Sequence, residues 1–202
     1  LQQATVVADL DSAIADCGWV IGTSARQRST LWAALDPRQS ALKAFQAASA
    51  GQQVALVFGR ESSGLTRQEL DRCTHLLHIP ANPDYSSLNI AMAVQVMSYE
   101  LRMLQIVATQ TAGSGVDDAE SVLAPAEQPA PAEQPAPAEQ MEGFFNHLQQ
   151  TLLDIGFLQP QRDGKIMQRL RRLFHRAAPD QRELNILRGI LSSAQGQKSM
   201  RK

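Results

Sequence analysis

The sequence predicts an α/β fold with a mostly parallel sheet, followed by a small all-helical extension. Three observations carry this. Strand and helix signals alternate up to about residue 110. The strongest strand, VALVFG at 54–59, is a continuous apolar run, as a strand covered on both faces requires. A proline-rich repeat then separates this part from a basic, helix-patterned tail.

In chain order, the opening QATVVAD reads as the end of a strand, so the sequence is expected to begin inside a domain and to lack that domain's first part. Asp9 caps a short helix through Asp16, ended by Gly18. WVIGTS (19–24) is a buried strand, and a helix at 38–50 ends at Gly51. After VALVFG, Thr66-Arg67-Gln68-Glu69 is a capping box that starts the next helix. HLLHIP (75–80) is a further strand, closed by Pro80. The longest helix is expected from near Ser87 to about Val107. One apolar stripe on it is Val94, Met97, Leu101 and Leu104; a second is Val96, Tyr99, Met103 and Val107. One stripe suffices to cover a sheet. The other calls for a second copy of the chain, giving a homodimer, or for deep burial within one subunit.

APAEQP at 124–129 recurs at 130–135, and APAEQ follows at 136–140. Proline denies regular structure its hydrogen bonds, and with acids and few large apolar groups no core can form. Residues 111–140 therefore read as an extended linker, with use as a proline-motif ligand as the alternative. Domains are expected at 1–110 and 141–202. The second has three helices: EGFFNHLQQTLLDIGFL (142–158), DGKIMQRLRRLFHRA capped by Asp163, and PDQRELNILRGILSSA opened by Pro179. In the middle one Ile166, Leu170, Leu173 and Phe174 group together, opposite Arg169, Arg172 and Arg176.

Charge follows the same division. Residues 1–110 hold 8 bases and 9 acids, 111–140 hold 6 acids and no base, and 141–202 hold 11 bases and 5 acids. The near-neutral total of -1 thus hides a basic tail suited either to RNA phosphates or to a merely solvated helix face. No basic leader or run of about 18 apolar residues occurs. With two cysteines only, Cys17 and Cys73, a disulfide framework is not expected and a cytoplasmic location is.

FGRESSGLT (58–66) is one residue from a nucleotide-binding P-loop, but Leu65 stands where the phosphate-binding lysine belongs and Glu61 adds repulsion. A phosphate loop is therefore disfavoured. Ligands of parallel sheets nevertheless bind at the carboxyl ends of strands. Three small, polar, turn-rich segments follow the strands: GTSAR (22–26), GRESSGL (59–65) and IPANPDYSSLN (79–89). Together they can surround an adenosine-like ligand with backbone groups instead of charges. Cys73, His75 and His78 suggest zinc at first sight, but strand positions three apart face opposite sides and a fourth ligand is missing. Ser87 lacks the glycine elbow of a serine hydrolase.

FGRESSGLT followed by HIPANPDYSSLNIAMAVQVMSYELRM resembles the second and third motifs of the SPOUT methyltransferases, which carry a deep trefoil knot. GTSAR, a following tryptophan and LDPR (35–38) fit the TrmJ type within them, as do QTLLDIGF, KIMQRLRRLF and RELNILRGIL in the tail. The resemblance implies ribose 2′-O-methylation of tRNA at nucleotide 32 (cytidine or uridine) of the anticodon loop. It also implies S-adenosylmethionine as methyl donor, S-adenosylhomocysteine as product, and a dimer. The matching cofactor positions are Thr23, Ser24, Ala25, Gly59, Ile79 and Leu88. Ser87 is the candidate that orients the substrate, or only caps the long helix, or both. Arg26, Arg28, Arg60 and Asn89 are the candidates for substrate RNA, and Glu61 is expected to order its own loop. Two departures stand out. The family's first motif, with its arginine, has no counterpart from Leu1 onward. ARQRSTLWAALDPR also lacks the prolines usual after GTSAR. Beside this reading stand a non-catalytic RNA-binding module and a nucleotide hydrolase.

Overall fold

The computed structural model describes residues 4–25, 34–82, 88–114, 134–159 and 164–199. The chain forms two compact units, Trp19–Pro129 and a second made of Leu1–Gly18 with Ala130–Lys202.

In the first unit four parallel strands form one sheet: β1 (Trp19–Thr23), β2 (Ala34–Leu35), β3 (Val54–Val57) and β4 (His75–Leu77), in the order β2-β4-β1-β3. Trp19 registers with Val54, and Ile21 with His75. From the central β1 the chain goes to one side for β3 and to the other for β4. All the carboxyl ends therefore lie along one edge, where the connections diverge. Thr74 fastens the start of β4 to β1. Its hydroxyl donates to the Val20 carbonyl at 2.9 Å and accepts from the Val20 amide at 3.0 Å.

Helix α2 (Pro37–Ser49) opens with Pro37 in its first turn and a reciprocal capping box between Asp36 and Gln39. Its buried face is small, with Ser40, Ala41, Ala44 and Ala47, and α4 (Ile90–Ser114) packs on it closely. Ile21, Leu77, Ala41, Ala44 and Met97 form the core, flanked by Leu56, Leu101 and Leu104. The first stripe of α4 thus covers the sheet except at Val94, which is exposed. Of the second stripe, Tyr99, Met103 and Val107 are exposed, so deep burial within one subunit is not what this face does. A short α3 (Arg67–Leu70) begins at the expected Thr66 cap.

In the second unit α1 (Leu10–Ile14), capped by Asp9, meets α5 (Ala138–Asp154). The cap residue of α5 is Pro137, whose side chain cannot accept a hydrogen bond. The carbonyls of Cys17 and Ala15 receive the amides of Ala138 and Glu139 instead, at 3.0 and 3.1 Å. Helices α6 (Gly164–Ala177) and α7 (Gln181–Ser199) complete the unit around Met141, Phe144, Phe145, Leu148, Met167 and Leu184. The Phe174 ring meets Phe144 edge-on.

Several expectations differ from the structure. QATVVAD forms no strand over its described residues, and Val6 is 95% exposed. The two-residue β2 was not foreseen. The long helix starts at Ile90 and runs to Ser114, while α5 starts at Ala138, so helix occupies both ends of the expected 111–140 linker. Neither glycine nor proline occurs between Val107 and Ala112, so the helix continues until Gly113 and Ser114. Leu173 is exposed, whereas Ile166, Leu170 and Phe174 pack on the core. Asp163 lies outside the described residues.

Candidate active site at the carboxyl edge of the sheet

Each strand end is held by bonds that sequence spacing does not reveal. After β1, the Ser24 amide donates to the Leu77 carbonyl at 2.9 Å, and Nδ1 of His78 donates to the Ser24 carbonyl at 3.1 Å. A carbonyl only accepts, so this contact places the proton on Nδ1. After β3, Gly59 enters a tight turn in which the Arg60 amide donates to the Gly64 carbonyl (3.3 Å) and the Gly64 amide to the Arg60 carbonyl (2.8 Å). Gly64 takes φ +67, a left-handed conformation natural to glycine. At Gly59 a β-carbon would lie 2.3 Å from main-chain atoms of Gly64 and Leu65.

The turn leads into the α3 capping box. The Thr66 hydroxyl accepts from the Glu69 amide (3.2 Å), and Glu69 Oε2 accepts from the Thr66 amide (2.6 Å). The same carboxylate receives both guanidinium ends of Arg60, at 2.9 and 3.2 Å. The Arg60 pair first, and the Thr66 amide next, pull the Glu69 carboxyl down to about 2. The carboxylate that ties this loop is therefore Glu69, where Glu61 was expected to order it.

These segments enclose a cavity of about 300 Å³. Thr23, Ser24 and Ala25 line it after β1, and Phe58 to Leu65 after β3. Leu77, Ile79, Leu88, Ile90 and Ala93 line it from β4 and the start of α4. All six expected cofactor positions thus border one space, and Arg60 borders it too. Leu65 presents an apolar side chain where a P-loop would bring its lysine, and the described lining contains no lysine at all. The volume falls at the lower end of the range for small-molecule sites. Main-chain groups beside apolar Phe58, Leu65, Leu70 and Leu77 fit a purine nucleoside and offer little to a triphosphate.

Asn89 caps α4: its Oδ1 accepts from the Ala91 amide at 2.8 Å. Ser87, Arg26 and Arg28 lie outside the described residues. His75 of β4 is otherwise engaged. His75 stacks on Trp19 at 4.7 Å, with the Lys43 ammonium 5.5 Å from the Trp19 ring centre. Burial, then Lys43, pushes the His75 imidazole down to about 4. Burial first also raises the Cys73 thiol to about 12. Among the described residues no cluster suits a metal ion. The roles of Glu69 and His78 escaped the sequence reading, in which Glu69 figured only as a helix cap and His78 only in a rejected zinc cluster, while Leu65 was noted only as the residue in place of a lysine.

Comparison with known proteins agrees with this geometry. Residues 1–99 match the SpoU rRNA methylase family, and residues 139–202 match the C-terminal domain of the tRNA methyltransferase TrmJ. The tRNA (cytidine/uridine-2′-O-)-methyltransferase TrmJ of Salmonella typhimurium is 49% identical over 96% of this chain and 74% of its own. That of Photorhabdus laumondii is 47% identical over 95% and 73%. The crystal structure of TrmJ from Z. mobilis superposes with a TM-score of 0.72 at 28% identity, covering 95% of this chain and 74% of that one.

Proposed function

The chain belongs to the TrmJ group of the SpoU methylase family, and from that premise we propose that its cavity holds S-adenosylmethionine for 2′-O-methylation of cytidine or uridine in tRNA. The observation that carries the reading is that Thr23, Ser24, Ala25, Gly59, Ile79 and Leu88 border one shared cavity. The target follows the sequence resemblance, nucleotide 32 of the anticodon loop.

When bound, the sulfonium supplies an already activated methyl group. Transfer to a ribose 2′-oxygen would break the donor's carbon–sulfur bond, pass the hydroxyl proton to solvent and leave S-adenosylhomocysteine. What the chain supplies is alignment. The Ser24 backbone, pinned between Leu77 and His78, and the Gly59–Gly64 turn present fixed main-chain groups to the nucleoside. Leu65, Leu77 and Ile79 exclude water from the base. Ser87 orients the ribose, and Arg26 and Arg28 meet RNA phosphate. In the tail, Arg169 and Arg176 are exposed and suited to the same anion, whereas Arg171 is bound to Glu142 at 2.6 Å.

The exposed Tyr99, Met103 and Val107 form the face through which two copies pair. Cys17 and Cys73 are free and buried, and no described helix is long and apolar enough to cross a membrane. The reading places the enzyme in the cytoplasm. Mapping 2′-O-methylation on tRNA after incubation with the chain and labelled S-adenosylmethionine tests the reading. Label at ribose 32, lost in Ser87→Ala, is the expected result. Incorporation into bases, or unchanged turnover in Ser87→Ala, counts against the assignment.

A further inference from the structure

Glu69 does not itself line the cavity, yet two of the three closures that hold the loop beside it run through its carboxylate. The Arg60–Gly64 turn is closed by its own amides and carbonyls. Arg60 and Glu69, nine residues apart, are joined by a fork of two bonds. Glu69 and Thr66 are joined by the reciprocal cap. Helix α3 has four residues, too few to persist on its own hydrogen bonds, so its position depends on these side chains. The segment they tie together contributes Gly59 to Leu65 to the cavity.

We propose that Arg60 and Glu69 are positioning residues: their ion pair clamps the Gly59–Leu65 loop in the form that receives the methyl donor. Two parallel bonds fix direction as well as distance, which a single-point lysine contact would not. The Arg60 side chain is 62% exposed, so the pair's contribution is modest and salt-sensitive, and its role is geometric. The proposal rests on the cofactor reading above and departs from the view of Arg60 as an RNA contact only.

The test uses the full chain with Arg60→Gln, Glu69→Gln, the double variant, and Thr66→Ala as a control. Thr66→Ala removes one capping bond and keeps the ion pair. Calorimetry with S-adenosylhomocysteine is expected to show each glutamine variant binding about fivefold more weakly, with the double no weaker than either single. Thr66→Ala should lose thermal stability and keep its affinity. Hydrogen exchange without ligand should show the Gly64 amide less protected in both glutamine variants. An Arg60→Gln variant that loses tRNA affinity alone, beside an unaffected Glu69→Gln, would overturn the clamp, as would unchanged Gly64 protection. If the unaltered chain fails to bind S-adenosylhomocysteine, the cofactor reading falls, and the exchange measurement still judges the clamp separately.

Discussion

A β-carbon at Gly59 would sit 2.3 Å from the Gly64 carbonyl carbon and the Leu65 nitrogen, and main-chain atoms inside a closed turn cannot yield. Gly59→Ala is therefore expected to cost about 1–3 kcal/mol of stability and to weaken S-adenosylhomocysteine binding at least about tenfold. Thermal denaturation and calorimetry read the two effects. His78 acts at longer reach, through the Ser24 carbonyl. His78→Ala should weaken the same ligand several-fold, and His78→Asn, which keeps a donor near the Nδ1 position, should recover most of that loss. Equal affinities in Ala and Asn variants would mean that this bond does not position the loop. The two glycines were legible because a short loop between strand and helix needs them. The partners of Arg60 and His78 were not. One depends on the direction of α3, and the other on β4 lying beside β1, and neither is set by local spacing.

The contacts of Trp19 on β1 with His75 on β4 and Lys43 on α2 tie three elements and make them sensitive to acid. His75 takes up its proton at about 4 in the fold, against an ordinary 6.5 in the unfolded chain. Between these values the unfolded chain binds more protons, so the stability that neutral His75 contributes is full above about pH 6.5 and is lost as pH falls toward 4. His75→Phe, which keeps the stack, should flatten urea-unfolding midpoints over that window. A slope equal to that of the unaltered chain would assign the sensitivity elsewhere. On α4 the stripe of Tyr99, Met103 and Val107 remains outside the core. If that stripe pairs two copies as proposed, Met103→Glu should shift sedimentation to the monomer without unfolding the chain, and an unchanged sedimentation coefficient would count against the pairing. Periodicity showed both stripes, Gly51 marked the end of α2, and the Thr66 capping box placed the start of α3, whereas the Asp36–Gln39 box of α2 went unread. Helix ends were read less well: α4 outran its expected end by seven residues, Val107 to Ser114, because the first breaker after Val107 is Gly113. The two residues of β2 are too few to leave a pattern.

Across the whole molecule, residues 1–99 and 139–202 match separate family models. The order β2-β4-β1-β3 was not readable, since strand order is settled by packing of distant segments and not by any one of them. Function divides in the same way. Arg169→Glu with Arg176→Glu should weaken tRNA binding and reduce its salt dependence, while leaving S-adenosylhomocysteine affinity unchanged, because these residues belong to the other compact unit. The claim on which the rest depends is that uncharged strand-end loops, and not a lysine-bearing phosphate cradle, hold a methyl donor. Calorimetric titration of the full chain with S-adenosylhomocysteine and, separately, with ATP tests it most directly. Micromolar binding of the first and none of the second is the predicted result, and binding of ATP alone would contradict it.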